Sequence, residues 1–429
     1  MYQLRGSFWG MILMVGAVVV FVCPPTSAQL QSGYSPCSSL LNSNSNPDSI
    51  PFGPAVYYAA GFRPISVFCA DLDGDLDLDL AVANQYSSDV SILKNNGDGT
   101  FQSKVDYAAG GAPYSVFCAD LDGDLDLDLA VANLGSDNVS ILENKGDGTF
   151  QPKVDYAAGD EPSSVFCADL DGDLDLDLAV ANWESDNVSI LKNNSDGTFQ
   201  PKVDYAAGDV PHSVFCADLD GDLDLDLAVA NLASNNVSIL KNDGNGTFQP
   251  KVDYASGTHP RSVFCADLDG DLDLDLAVAN SGSDNVSMLE NNGDGTFQPK
   301  VDYASGTHPY SVFCADLDGD LDFDLAVANE FSHNVSILEN NGDGTFQPKV
   351  DYAAGDYTSS VFCADLDFDS DLDLAVAKPW SDNVSILRNC SRHLVCGDVD
   401  CDNKASITDL VYLVNFIFKS GPKPGECAR

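Results

Sequence analysis

The stretch Asp71-Leu72-Asp73-Gly74-Asp75-Leu76-Asp77-Leu78-Asp79 places five carboxylates within nine residues. Left bare, they would repel one another, so a counter-cation is expected among them. Calcium is a hard cation that takes roughly six to eight oxygens. Its loops offer side-chain oxygens at positions 1, 3, 5 and one later position, with a backbone carbonyl at position 7. Asp71, Asp73, Asp75 and Asp79 fit the side-chain roles, and Asp77 would offer its carbonyl. The alternative is a plain strand with an acidic face and a leucine face, but Gly74 would interrupt it.

The same pattern returns as Asp120, Asp122, Asp124, Asp126, Asp128, and then as Asp169, Asp171, Asp173, Asp175, Asp177. It continues with Asp218, Asp220, Asp222, Asp224, Asp226 and with Asp267, Asp269, Asp271, Asp273, Asp275. Asp316, Asp318, Asp320, Asp322, Asp324 and Asp365, Asp367, Asp369, Asp371, Asp373 complete the set. An eighth acidic loop of different spacing lies near the C-terminus. There Asp398, Asp400, Asp402, Ser406 and Asp409 hold positions 1, 3, 5, 9 and 12 of a calcium loop, and Lys404 would give its carbonyl. Asn403 stands where glycine is usual, and the apolar positions Leu410, Leu413, Val414, Ile417 and Phe418 predict a helix that stops at Gly421-Pro422. About seven calcium ions are therefore expected in the repeats and one in this loop.

The repeated loops hold five acidic residues each, 35 of the chain's 67, against only 20 basic residues. The formal net charge of −47 argues against nucleic acid or anionic lipid as a partner. Hydrophobic residues make up 44% of the sequence, too many for disorder to explain the acidity.

The elements that must position these loops follow from the period. SVFCAD ends at Asp71, Asp120, Asp169, Asp218, Asp267, Asp316 and Asp365, always 49 residues apart, which signals a solenoid, propeller or array. In the first unit, period-2 alternation predicts strands over Ser66–Asp71, Leu80–Asn84, Val90–Lys94 and Phe101–Tyr107, with a hairpin turn at Asn96-Gly97-Asp98-Gly99. Four antiparallel strands per repeat make one propeller blade. The seventh unit ends before its fourth strand, and an unmatched copy, Phe52–Gly61, lies upstream. A ring closed by that strand leaves no open edge. The predicted fold is an all-β, seven-bladed β-propeller over residues 51–392, followed by a small calcium loop–helix module over 393–429.

Before the propeller, Arg5, the apolar run Phe8–Cys23 and the small residues ending at Ala28 read as a signal peptide over residues 1–28. That run is shorter than the roughly 20 residues a membrane span needs, so an exported protein is expected. Residues 29–50 are a Ser/Asn-rich linker. Seven cysteines at one strand position (Cys69, Cys118, Cys167, Cys216, Cys265, Cys314, Cys363) read as small buried hydrophobes. Cys37, Cys390, Cys396, Cys401 and Cys427 are the disulfide candidates of an oxidising compartment, with pairing left open. Asn-Val-Ser recurs from Asn138 onward, but at the start of a strand, which disfavours glycosylation.

The repeats resemble FG-GAP/VCBS units, the calcium-binding blades of integrin α-chain propellers, whose motif reads DxDGDGxxDLxV. The resemblance implies calcium in each loop and a binding or adhesion role. Position 6, usually glycine, is Leu76, Leu125, Leu174, Leu223, Leu272 and Leu321, and Ser370 in the last repeat, where Phe368 also replaces a glycine. A left-handed leucine costs roughly 1–2 kcal/mol, so these loops are expected to be strained or differently shaped. The C-terminal module resembles one calcium-binding repeat of a dockerin, a module that carries two such repeats and docks glycan-degrading proteins onto cohesins. Only one such repeat is present here, so a stapled C-terminal cap or another docking role stands ahead of the cohesin-like partner that the resemblance implies.

Near-identical repeats offer no asymmetric set of acid, base and nucleophile, so a binding protein is expected rather than an enzyme. The ligand would be an extracellular protein or a glycan. A glycan-degrading component of a dockerin-type assembly is the alternative. Strand reversal puts the acidic loops and the NGDGT hairpins on one face and the remaining connections on the other. The copies differ chiefly on that second face. It holds Trp183, Trp380, Tyr86, Phe331, Tyr114, Tyr310, Tyr357, Arg63, Arg261, His212, His259, His308 and His333, expected as exposed hot-spot side chains.

Overall fold

The computed structural model describes residues 50–390. The predicted leader, the linker up to residue 49 and the C-terminal module with its ligand set Asp398, Asp400, Asp402, Lys404, Ser406 and Asp409 lie outside the described residues. The described strands assemble into seven four-stranded antiparallel sheets. No helix among the described residues is long and apolar enough to cross a membrane.

Blade one comprises Pro64–Ala70, Asp79–Asn84, Asp89–Leu93 and Val105–Ala108, blades two to six repeat this set, and blade seven has the shorter Ser360–Ala364, then Asp373–Lys378 and Asn383–Leu387. Strand one begins two residues earlier than expected, with a bulge between Pro64 and Ser66. Strand four is shorter than expected: Phe101 makes only an isolated bridge to Asn95, and regular pairing resumes at Val105. In most copies the intervening residues read Gln-Pro-Lys, and proline cannot donate to a ladder.

Burial follows radius. Strand four is mostly exposed at the rim, whereas strand two (Asp-Leu-Ala-Val-Ala-Asn) is buried at every position. Its alternation is one of size rather than polarity. In blade one Leu80 and Val82 face blade seven, while Ala81 and Ala83 face Leu129 and Val131 of blade two. Each seam thus sets small side chains against large ones, and a one-residue slip would oppose large against large. Strand one lines the axis, where Phe68, Phe117, Phe166, Phe215, Phe264, Phe313 and Phe362 form a closed ring. Neighbouring ring centroids lie 4.7–4.9 Å apart.

The N-terminal strand closes the circle. Val56–Ala59 pairs antiparallel with Asn383–Leu387, and Phe52 bridges Asn389. The seven repeated cysteines are free and buried, as small hydrophobes should be, and Cys390 is disulfide-bonded.

Candidate functional site

Each acidic loop joins strands one and two of its blade. In blade one Asp71 shapes the turn: its Oδ1 accepts the Gly74 amide at 2.8 Å and its Oδ2 the Leu76 amide at 3.0 Å. Asp75 Oδ1 accepts the Asp77 amide at 3.0 Å. Asp79, only 1% exposed, opens strand two, and its Oδ1 accepts the Asn95 amide at 2.7 Å. Asn95 in turn donates to the Leu366 carbonyl of the preceding blade's loop. All seven blades repeat this last bond at 2.8–2.9 Å, which ties every loop to its neighbour.

The position-6 leucines keep the left-handed conformation. Leu76, Leu125, Leu174, Leu223, Leu272 and Leu321 have φ of 75–77°, and Ser370 has 74°. The loop is therefore strained rather than reshaped, and the leucines gain little packing in return, Leu174 being 88% exposed. Loop seven holds the same turn with Phe368 at φ 61°, where Gly74 has 77°.

The carboxylates converge as a cation requires. Asp71, Asp73 and Asp75 bring three oxygens within 4.8 Å of one another, as do Asp120, Asp122 and Asp128 or Asp169, Asp171 and Asp177. Asp218, Asp220 and Asp222 and Asp267, Asp269 and Asp271 do the same, with two further groups among the described residues. In loops one, three, four and seven a buried oxygen lacks a hydrogen-bond donor (Oδ1 of Asp73, Asp171, Asp220 and Asp367, Oδ2 of Asp373), whereas in loops two and five Oδ1 of Asp122 and Asp269 accepts the Asp124 and Asp271 amides at 3.2 Å. Burial, with neighbouring carboxylates adding to it, pushes Asp79, Asp128, Asp177, Asp226 and Asp275 up to about 7. Asp324 rises to about 8 and Asp373 to about 9 for the same reasons. Unsatisfied oxygens on crowded carboxylates fit a hard cation, the donor set that calcium takes.

The hairpins share this face with the loops. Gly148 of blade two, for example, lies against Asp73 of blade one. On the opposite face the other two connections meet, with the Gln85 amide bonded to the Arg63 carbonyl at 2.9 Å. An aromatic arc crosses blades six, seven and one here. His308 stacks on Phe331 at 4.4 Å, Phe331 meets Tyr357 at 6.1 Å, and Tyr357 meets Trp380 at 5.3 Å. Arg63 then bridges Trp380 and Tyr86, 5.9 and 4.6 Å from their ring centroids, and Tyr86 meets Phe62 at 5.6 Å. Phe62, Tyr86, Phe331 and Trp380 are 51–66% exposed.

Nearer the axis the structure corrects an expectation. Tyr114 and His212 are buried rather than exposed, because residues one place after the blade-entry proline point inward. Tyr114, His212 and Tyr310, from blades two, four and six, meet across the axis, with Tyr114 Oη 3.2 Å from His212 Nε2 and hydrogen-bonded to Tyr310. His212 Nδ1 lies 2.7 Å from the Arg261 carbonyl, so that nitrogen carries the proton. Burial, then the Arg261 charge, pushes His212 down to about 3. Above this plug lies a cavity of about 290 Å³ lined by Arg63, Gln85, Tyr114, Trp183, Arg261 and Glu330, among others.

Comparison with known proteins follows the loops. Residues 71–131, 120–180, 169–229, 218–278, 267–327 and 316–376 each match the FG-GAP-like repeat. No curated protein matches the chain. Among solved structures, an Agrocybe aegerita lectin that recognises non-reducing terminal N-acetylglucosamine is 22% identical, with a TM-score of 0.52 over 77% of this chain and 87% of its own. Kuenenia stuttgartiensis hydrazine synthase is 18% identical, with a TM-score of 0.57 over 78% of this chain and 98% of its own. Virginiamycin B lyase from Staphylococcus aureus is 12% identical, with a TM-score of 0.52 over 79% and 99%. At such identities the likeness reaches the fold alone.

Proposed function

Because this chain belongs to the FG-GAP-like repeat family, we propose that it is an exported, calcium-stabilised binding propeller whose ligand docks on the face opposite the acidic loops. The ligand is a glycan or a glycan-bearing extracellular protein, and the chain acts as an adhesion or scaffold module without catalysis. The observation that carries this reading is the aromatic arc from Phe331 through Trp380 to Phe62. Planar rings held at the surface suit the apolar faces of sugars and the centres of protein interfaces. Calcium at Asp71, Asp73, Asp75, Asp77 and Asp79, and at their counterparts, would neutralise the loops and hold the blades in register. That a lectin of similar fold recognises non-reducing terminal N-acetylglucosamine supports a sugar as the ligand. The C-terminal acidic loop, through a cohesin-like partner, would place the propeller in a polysaccharide-handling assembly.

The test is binding to a glycan array and to extracellular matrix proteins with calcium present, followed by the double variant Trp380→Ala/Phe331→Ala. Ligand affinity should fall by more than about 1 kcal/mol, with the calcium-loaded melting temperature unchanged. Undiminished binding by the double variant would remove the arc from the ligand site.

A further inference from the structure

The seven acidic loops are alike in sequence, but one neighbouring position divides them. It is the residue that follows strand three. It is Lys94, Lys192, Lys241 and Arg388 in blades one, three, four and seven, and Glu143, Glu290 and Glu339 in blades two, five and six. Each cation sits on the position-3 carboxylate of its own loop: Lys94 Nζ is 2.9 Å from Asp73, Lys192 3.0 Å from Asp171, Lys241 2.9 Å from Asp220, and Arg388 3.1 Å from Asp367. Each also donates to a backbone carbonyl in the next blade's hairpin, at Asp147, Asn245, Asp294 and Asp98 respectively. One side chain therefore supplies a positive charge to the loop and clamps it to the following blade.

The glutamates do the reverse. Glu143 adds negative charge beside Asp122, and Glu290 beside Asp269. The next blade's hairpin still sits against these loops, Gly197 on Asp122 and Gly344 on Asp269, but without a clamping cation. Glu339 is engaged differently: its Oε1 accepts the Ile50 amide at 3.1 Å. The Ile50 carbonyl accepts from Tyr352, and Phe52 meets the Tyr352 ring edge-on at 5.1 Å. That seam is held by the N-terminal strand.

Resting on the calcium reading above, we infer that the loops of blades two and five are the high-affinity calcium sites. Calcium there takes the place that a lysine or arginine clamp holds at the seams after blades one, three, four and seven. A fixed ammonium near a bound divalent ion opposes it, and a carboxylate in the same place favours it. Exchanging the two moves affinity by at least about tenfold even with strong screening.

Calorimetric titration of the chelator-stripped full chain tests this directly. The expected result is a tight class that holds two sites of the repeats, at least about tenfold tighter than the other five, beside any site of the C-terminal loop, and the loss of two sites from that class in Glu143→Lys/Glu290→Lys. Should that pair fail to fold, Glu143→Gln/Glu290→Gln serves with a smaller expected loss. Hydrogen exchange under chelation gives a second readout. The hairpins over residues 193–198 and 340–345 should lose protection before those over 144–149 and 242–247. Uniform sites in the repeats, a tight class whose stoichiometry is unchanged by the double substitution, or equal loss of protection at all hairpins would overturn the inference and leave calcium binding standing. Absence of any calcium binding would instead overturn the reading beneath it.

Discussion

The two faces of the ring are built from the same strands yet behave as opposites. On the acidic face the seven copies are nearly interchangeable: the same five aspartates, the same left-handed position 6, and the same asparagine reaching back one blade. On the other face the copies diverge, Gln85-Tyr86 in blade one against Trp183-Glu184 in blade three, and three of them meet across the axis as Tyr114, His212 and Tyr310. Repetition suits a task that every seam shares, such as holding a cation between blades. A ligand site needs asymmetry, because a particular molecule has only one outline. The proposed function accordingly assigns stability to the uniform face and recognition to the varied one.

Chelation should expose the largest difference between them. A ligand at 100 times its dissociation constant stabilises by about 2.7 kcal/mol per site. With several sites, removing calcium should lower the melting temperature by about 10 °C or more, and calcium should restore it. An unchanged melt after exhaustive chelation would mean that the acidic face holds no structural cation.

Acidity should move the faces in opposite directions. Without calcium, Asp79 and its counterparts in blades two to five titrate at about 7 in the folded chain, Asp324 at about 8 and Asp373 at about 9, all above the ordinary carboxylate range of the unfolded one. The folded state then binds more protons than the unfolded state, so stability should rise as pH falls from 8 towards 5. His212 has the other sign. Its folded value of about 3 lies below that of an ordinary imidazole, so it withdraws stability as pH falls below about 6.5. In chelator, His212→Gln should therefore lessen the loss at the acid end, while Asp79→Asn should lessen the gain above it. Melts across pH 4–8 check both signs. A calcium-loaded sample should lose its advantage as pH falls, because protons compete for the same oxygens.

The smallest effect expected lies in one strained residue. Leu76 holds φ 75° while 70% exposed, so little packing is lost on replacing it. Asparagine tolerates that region, and Leu76→Asn should stabilise by up to about 1 kcal/mol. The equivalent change at Arg63, left-handed at φ 60° but held against Tyr86 and Trp380, should bring no such gain. Equal responses at the two sites would erase the distinction between an idle loop tip and an engaged one.

Local and periodic features were legible in the sequence. The 49-residue spacing, the size and polarity alternation of each strand, the acidic spacing and the unmatched copy at Phe52–Gly61 dictate blades, their number and the strand that closes the ring. Hydrogen-bonding period and turn chemistry act over a few residues, so they leave their mark in order along the chain. Contacts between blades belong to the tertiary structure. The phenylalanine ring, the plug of Tyr114, His212 and Tyr310, the arc from Phe331 to Phe62 and the reach of Lys94 to the Asp147 carbonyl join residues tens to hundreds of positions apart. The sequence shows Lys94 and Glu143 as one variable position among many. Pairing within the blade sets that position beside its own acidic loop, and only the packing of neighbouring blades brings the next hairpin within its reach, so that its charge decides whether the seam is clamped.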